Sequence, residues 1–353
     1  MAAILLLGVT GCGIPAIDAS KVQRLEVVSY EGAYFCPTGE NKLAVQAKMS
    51  DGSVRSTNAS DRSDQFDAAE LVWAVSPSMG QVVSNKLDVA FVPNDDITPA
   101  LEKNVTLDVA MEKNRAAKGT IELTPNFACH QGAWFSAEAG AEGESGSMSY
   151  SLFSSFSSRG RSGGNGRSGR SGRDATPVVA RVKLVETKRG TLAAVRVMRL
   201  SDDYTVTYFV DPKAGRITIM NRGGQGGKGG SGEDGQRGDS GGTCRRGGDG
   251  GNGGNGGDGG DGGDGGAVTV YIDASHPELA NLIRVDNRGG DAGRGGYRGS
   301  GGYGGFGGSD SKKKCNPSDG RTGESGISGS DGRSGRPGPA PQFLMAEPES
   351  FTF

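Results

Sequence analysis

The sequence predicts an all-β protein with no significant α-helix, in which short strands carry a bundle of extended helices of three-residue period. Three observations lead there. Glycine occupies every third position from 223 to 265, broken only at Cys244. That period matches neither the 3.6 residues of an α-helix turn nor the 2 of a strand, but it does match the three residues per turn of a polyproline-type helix. The runs 223–241, 247–265, 290–308 and 320–338 each hold seven in-phase positions, so four segments are matched in length. Outside the runs, apolar residues alternate with polar ones over short stretches bounded by turn residues, which is the pattern of half-buried strands.

In chain order, residues 1–12 read MAAILLLGVTGC. This apolar stretch ending in Val9-Thr10-Gly11-Cys12 resembles a bacterial lipobox. The resemblance implies that Cys12 is acylated and becomes the mature N-terminus, and Gly13 after it implies the outer membrane or cell surface, reached through a lipid anchor. Residues 13–21 form a tether. Residues 22–135 are the one ordinary globular stretch, with alternation at Leu43, Val45, Ala47 and Met49, a turn at Asp51-Gly52, and alternation again at Val105, Leu107, Val109 and Met111. Short strands without helical periodicity predict a β-sandwich. The segment Leu71-Val72-Trp73-Ala74-Val75, followed by Gly80-Gln81-Val82-Val83, resembles the tryptophan strand of bacterial immunoglobulin-like domains.

Residues 136–176 are rich in Gly, Ser and Arg and read as a further glycine hairpin. Residues 177–222 and 267–288 supply strands for a second, smaller sheet, the base from which the glycine hairpins 223–266 and 289–340 rise, and 341–353 form a tail. A nine-residue repeat joins base to bundle: Arg216 to Gly224 aligns with Leu282 to Gly290, each ending Asn-Arg-Gly-Gly. A lone helix of this kind has no internal hydrogen bonds, and ordering glycine costs about 1–2 kcal/mol per residue. Only bonds between neighbouring runs offset that cost. Seven triplets at ~3.1 Å per residue give a rod of about 65 Å.

Setting Cys12 aside leaves Cys36, Cys129, Cys244 and Cys315, an even number that suits an oxidising compartment. The four divide between the globular stretch and the bundle, which predicts Cys36 with Cys129. Cys244 and Cys315 each follow a seven-position ascent, from Asn221 and Asn287 respectively, so both stand at the same height and are expected to bridge the hairpin tips. The competing pairing, a tip cysteine with Cys36 or Cys129, requires the first domain to reach about 65 Å along the rod.

The triplets after Gly320 look collagen-like, but much of 223–308 is Gly-Gly-X, as in GGDGGNGGNGGDGGDGGDGG. Two bare ridges per helix let several neighbours approach. In this the chain resembles the polyglycine II bundles of certain phage tail-fibre adhesins and of some antifreeze proteins. The resemblance implies an architecture and leaves the function open. Run 247–265, bare on two ridges, is expected to be more central than 320–338, bare on one.

Several motifs are explained by the repeat alone. Gly238-Asp239-Ser240-Gly241-Gly242 spells a serine-protease string, yet both of its outer glycines are in phase, and His130 lacks the surroundings of a catalytic histidine. Asp258, Asp261 and Asp264 stand about 9 Å apart on one ridge, too far to hold one ion, so no metal or other cofactor is expected. Arg161, Arg167, Arg170 and Arg173 resemble an RNA-binding RGG segment, but 39 basic against 41 acidic residues give no basic field and no nucleic-acid partner. The arginine ridge is instead expected beside the aspartate ridge of 249–264. Tyr297, Tyr303 and Phe306 share one ridge and form a candidate strip for a surface protein or glycan. The reading is a non-enzymatic surface lipoprotein with a structural or adhesive bundle. Its rivals are ice or glycan binding through a bundle face, and a secreted hydrolase.

Overall fold

The computed structural model describes residues 17–148, 159–312 and 315–347, and no α-helix occurs among them. Nine strands build the first unit: β1 (Val22–Ser29), β2 (Tyr34–Phe35), β3 (Asn41–Met49), β4 (Val54–Ser56), β5 (Leu71–Ser76), β6 (Gly80–Asn85), β7 (Asp88–Pro93), β8 (Val105–Met111) and β9 (Asn114–Pro125). They form two sheets, β1-β3-β7-β6 with β4 on β3, and β2-β9-β8-β5. The alternating residues set the core: Leu43, Val45, Ala47 and Met49 of β3 are buried, as are Val105, Leu107, Val109 and Met111 of β8. Phe35 and Phe91 meet edge to face between the sheets, with ring centroids 5.4 Å apart. Trp73 packs half-buried against the same core.

The second unit contains β10 (His130–Trp134), β11 (Val178–Thr187), β12 (Gly190–Arg199), β13 (Thr205–Val210), β14 (Arg216–Met220), β15 (Val268–Asp273), β16 (Ile283–Asp286) and β17 (Gln342–Ala346). Here the structure departs from the sequence reading in three ways. The base is two sheets, β10-β14-β16 and β13-β12-β11-β15-β17, because Ile217, Ile219 and Ile283 bury their side chains face to face with Val178, Ala180, Val268 and Val270. Residues 130–134 belong to this base and not to the first domain, since Ala133 and Phe135 fall in its core. Residues 342–346 are no tail but an edge strand, parallel to β15. Leu192, Ala194 and Phe209 of β12 and β13 join the core of the first unit, so the two units pack together.

The glycine segments form six runs: A (137–147), B (160–175), C (222–242), D (247–266), E (288–308) and F (320–338). Runs A, C and E continue the parallel strands β10, β14 and β16, while B, D and F lead into β11, β15 and β17. The two facing sheets are thereby extended as two layers, A-C-E and B-D-F, running in opposite directions. Register carries through as well: Ile217 faces Ile283 in the sheet, and Gly224 lies against Gly290 in the bundle, at the same sequence separation.

Backbone bonds knit the layers. Within one, Gly226 N–H donates to the Asp291 carbonyl and Gly256 to Ile327, at 2.8 and 2.9 Å. Between layers, Gly257 donates to Gly230 and Gly296 to Gly257, at 2.9 and 2.8 Å. Runs C and D each touch four others, whereas F touches D and E only. Glycine content follows from this. A Cβ on Gly256 would lie 2.1 Å from the Gly296 carbonyl oxygen, and one on Gly257 2.1 Å from that of Arg167, so D requires two glycines per triplet. F requires one, at positions such as Gly329, where a Cβ would meet the Gly257 carbonyl oxygen at 2.0 Å.

The repeated Asn-Arg-Gly-Gly marks the change from strand to run. The Asn221 amide donates to the Thr176 and Ala267 carbonyls at 2.9 and 3.3 Å, and the Asn287 amide to those of Pro339 and Gly266 at 2.7 and 3.2 Å. Each asparagine thus ties a rising run to the strand entrances of the opposite layer. Arg222 and Arg288 both bond Asp286, and these two guanidinium groups hold its carboxyl far below the usual carboxylate range.

Candidate functional site

Because the interior of the bundle is backbone, its chemistry lies on the outward ridges. On the B-D-F face, run D presents Asp249, Asn252, Asn255, Asp258, Asp261 and Asp264. Each accepts at its Oδ1 from a main-chain N–H of run F: Asp249 from Arg321, Asn252 from Glu324, Asn255 from Ile327, Asp258 from Ser330, Asp261 from Arg333 and Asp264 from Arg336, at 2.7–3.1 Å. An outer run with two neighbours leaves amides without backbone partners, and a short side chain carrying a carbonyl or carboxylate oxygen reaches them. The expectation of a purely ionic ridge does not include this role. The signal was present: the X position of the Gly-Gly-X triplets in D holds only Asp or Asn.

The ladder corrects the expected pairing of the arginine and aspartate ridges. Runs B and D are neighbours, with Gly169 N–H donating to the Asp258 carbonyl at 2.8 Å. Their side chains nevertheless diverge. Arg167 and Arg173 pair with Glu144 and Glu138 of run A at 3.2 and 3.3 Å, while the aspartates turn to run F. The Arg321 N–H bonded to Asp249, with Arg246 and Arg321 as nearby cations, holds the Asp249 carboxyl below the usual carboxylate range. A depressed folded value means that this bond stabilises the fold above the unfolded value and is lost as pH falls through the folded one. We expect amide-exchange protection at Arg321 to fall on acidification relative to Ile327, whose partner Asn255 does not titrate. Equal changes at both amides would remove the role of the Asp249 carboxylate.

On the A-C-E face, Tyr297, Tyr303 and Phe306 of run E are 79%, 74% and 61% exposed and lie on one ridge. Ser300 sits between the tyrosines, and its N–H donates to Asp234 of run C at 2.6 Å. The Arg237 guanidinium lies over the Phe306 ring, 4.5 Å from its centroid. Arg237-Gly238-Asp239 is therefore part of the ridge packing, with Asp239 accepting from Gly248. A groove of about 680 Å³ on the first unit is lined by Tyr30, Lys42, Asn58, Gln65, Val83 and Asp88. Two of its polar groups are used internally, the Asn58 amide on the Tyr30 hydroxyl and the Gln65 amide on the Ala59 carbonyl.

Cys36 is bonded to Cys129, joining the end of β2 to the start of β10, and Cys244 to Cys315, joining the two hairpin tips. Cys12 lies outside the described residues. His130 bonds the Thr218 hydroxyl at the foot of the base, roughly 70 Å along the rod from Ser240, so these two residues do not form a dyad. Among the described residues no group of three or more His, Cys, Asp or Glu is arranged to hold a metal ion, and no helix is long and apolar enough to cross a membrane. Neither a family model, nor a curated protein, nor a solved structure matches this chain.

Proposed function

We propose that this chain is a non-enzymatic cell-surface protein, structural or adhesive, held at a bacterial outer membrane by a lipid on Cys12. In this reading it displays a polyglycine II rod on an immunoglobulin-like domain. The observation that carries the reading is the two-layer bundle itself. Six runs spend their interior on backbone hydrogen bonds and glycine contacts, and the Asp and Asn side chains of run D stand on an outer ridge, an arrangement suited to display and not to enclosing a reaction. The three-residue period with lateral N–H to carbonyl bonds supports the polyglycine II reading. The strand order of the first unit supports the immunoglobulin-like one: β1-β3-β7-β6 and β5-β8-β9 correspond to A-B-E-D and C-F-G of that fold.

The anchor has a direct test. The natural protein should enter the detergent phase of a two-phase partition, and Cys12→Ala should move it to the aqueous phase without altering its thermal melt, since the core of the first unit begins at Ala19. Partition of the unaltered protein into the aqueous phase would falsify the lipid anchor. Protease shaving of intact cells reads surface display separately.

A further inference from the structure

We infer that the aromatic ridge of run E binds a neutral, extended β-1,4-linked polysaccharide, with Tyr297 and Tyr303 as stacking platforms and Phe306 as a third. The inference rests on the adhesive reading above and names its ligand class. Tyr297 and Tyr303 are separated by two triplets, about 19 Å, and Phe306 by one more, about 9 Å. An extended β-1,4-linked hexopyranose chain turns the same sugar face to one side once per disaccharide, a repeat close to the length of one triplet. A chain laid along the ridge therefore brings equivalent sugar faces over all three rings. A coiled α-1,4-linked chain loses this register.

The chemistry of the face fits the same ligand. Pyranose rings present C–H groups that settle on aromatic faces, and their hydroxyls need polar partners close by. Beside the rings lies the column of run C, with Ser231, Asp234, Arg237 and Ser240, and between the tyrosines stands Ser300. Asp234 is fixed by the Ser300 N–H, and Arg237 by the Phe306 ring, so both are positioned before any ligand arrives. Along these two ridges Asp234 and Asp291 offset Arg237 and Arg294, Lys228 is paired with Glu142 of run A, and Arg222 and Arg288 share Asp286, which leaves little net charge to attract an anionic polymer. The rings are also spaced apart by glycine and serine and form no contiguous apolar patch of the size a protein partner uses. A rigid scaffold completes the argument. The ring spacing is set by the hydrogen-bonded triplets of runs C, D and F, so binding orders little that is not ordered already.

The test uses the purified full chain with insoluble chitin and cellulose as probes and amylose as the α-linked control. The natural protein should be retained on at least one of the two β-linked polymers and not on amylose. Tyr297→Ala with Tyr303→Ala should weaken retention at least about tenfold. Tyr297→Trp with Tyr303→Trp should restore it. Both positions are exposed, and unchanged far-ultraviolet circular dichroism melts would show that the fold is kept. Soluble β-1,4 oligosaccharides should gain affinity steeply once they are long enough to reach both tyrosines. Absence of retention on both polymers, retention indifferent to the double alanine variant, or affinity independent of oligosaccharide length would each overturn the proposal. Retention is read on the isolated protein, so a chain that is displayed on cells yet ignores both polymers removes the glycan ligand and leaves the surface reading standing.

Discussion

Gly256→Val should abolish the cooperative melt of the bundle, whereas Ser328→Val should leave it nearly unchanged. The two sites lie on adjacent runs, but their surroundings differ in kind. A Cβ on Gly256 would stand 2.1 Å from the Gly296 carbonyl oxygen, 2.6 Å from its carbon and 2.9 Å from the Tyr297 oxygen, all of them main-chain atoms with no rotamer to change. The Gly296 carbonyl is itself a rung, accepting the Gly329 N–H at 3.0 Å, and Gly256 donates to Ile327 at 2.9 Å. Making room for one side chain therefore displaces runs E and F together. Overpacking a side-chain core costs about 1–3 kcal/mol, and a wall of backbone yields less, so we expect a loss above about 3 kcal/mol. Ser328 is exposed on a run with only two neighbours. Thermal melts followed by circular dichroism check this. The transition of the first sandwich, whose core contains none of the runs, should persist in both variants. A Gly256→Val protein that melts like its parent would show that run D is not interior.

How much of this was legible beforehand depends on which residues carried the signal. The glycine period is local and repeated, so the runs, their matched lengths and the central place of run D followed from the sequence. The apolar alternation of β3 and β8 is equally local, and both strands lie where it puts them. Partition between sheets is not local. Gln131-Gly132-Ala133-Trp134 reads as the close of the first domain until Ile217 and Ile283 are seen beside it, because only pairing reveals that β10, β14 and β16 are parallel neighbours. Phe343-Leu344-Met345 was hidden for a related reason: an edge strand carries weak alternation, and its three apolar side chains remain partly exposed.

The aspartate and asparagine ladder shows a subtler limit. Counting charges treats Asp and Asn as different, and the ridge then looks ionic. Counting acceptors treats them as the same, and the ridge becomes a set of short arms that serve the amides of run F. Which count is relevant follows from the number of neighbours F has, a property of the assembled bundle. The aromatic ridge lies on the other side of that line. Its residues are exposed and serve no amide through their side chains, so their in-phase spacing was visible in the sequence and needed the structure only to show which ridges flank it.

Replacing Cys244 and Cys315 together by serine should destabilise the bundle by about 4 kcal/mol, from the tip downward. The bridge joins residues 71 apart in sequence, and a cross-link over that length removes about that much loop entropy from the unfolded chain on the chain-entropy account. Its position decides where the loss appears. Runs C and E rise side by side from β14 and β16, which are paired, so their lower ends are fixed by the sheet. Their upper ends, at 243–246 and just beyond Gly308, are remote from any apolar core, and the bundle has only backbone bonds there to offset the cost of ordering glycine. Cys244 interrupts the glycine period at this turn, holding a left-handed φ of 60° while its N–H reaches the Gly308 carbonyl. Without the bridge, the rungs nearest the tip should open first. Amide exchange should therefore rise at Gly241, Gly247 and Gly308 well before Gly263 and Gly290, which are tied close to the asparagine junctions. The matching variant at Cys36 and Cys129 should spare the tip and loosen the joint between β2 and β10 instead. Uniform exchange along the rod in the Cys244 and Cys315 variant, or a peptide map linking either tip cysteine to Cys36 or Cys129, would contradict the arrangement of two parallel ascents clamped at equal height.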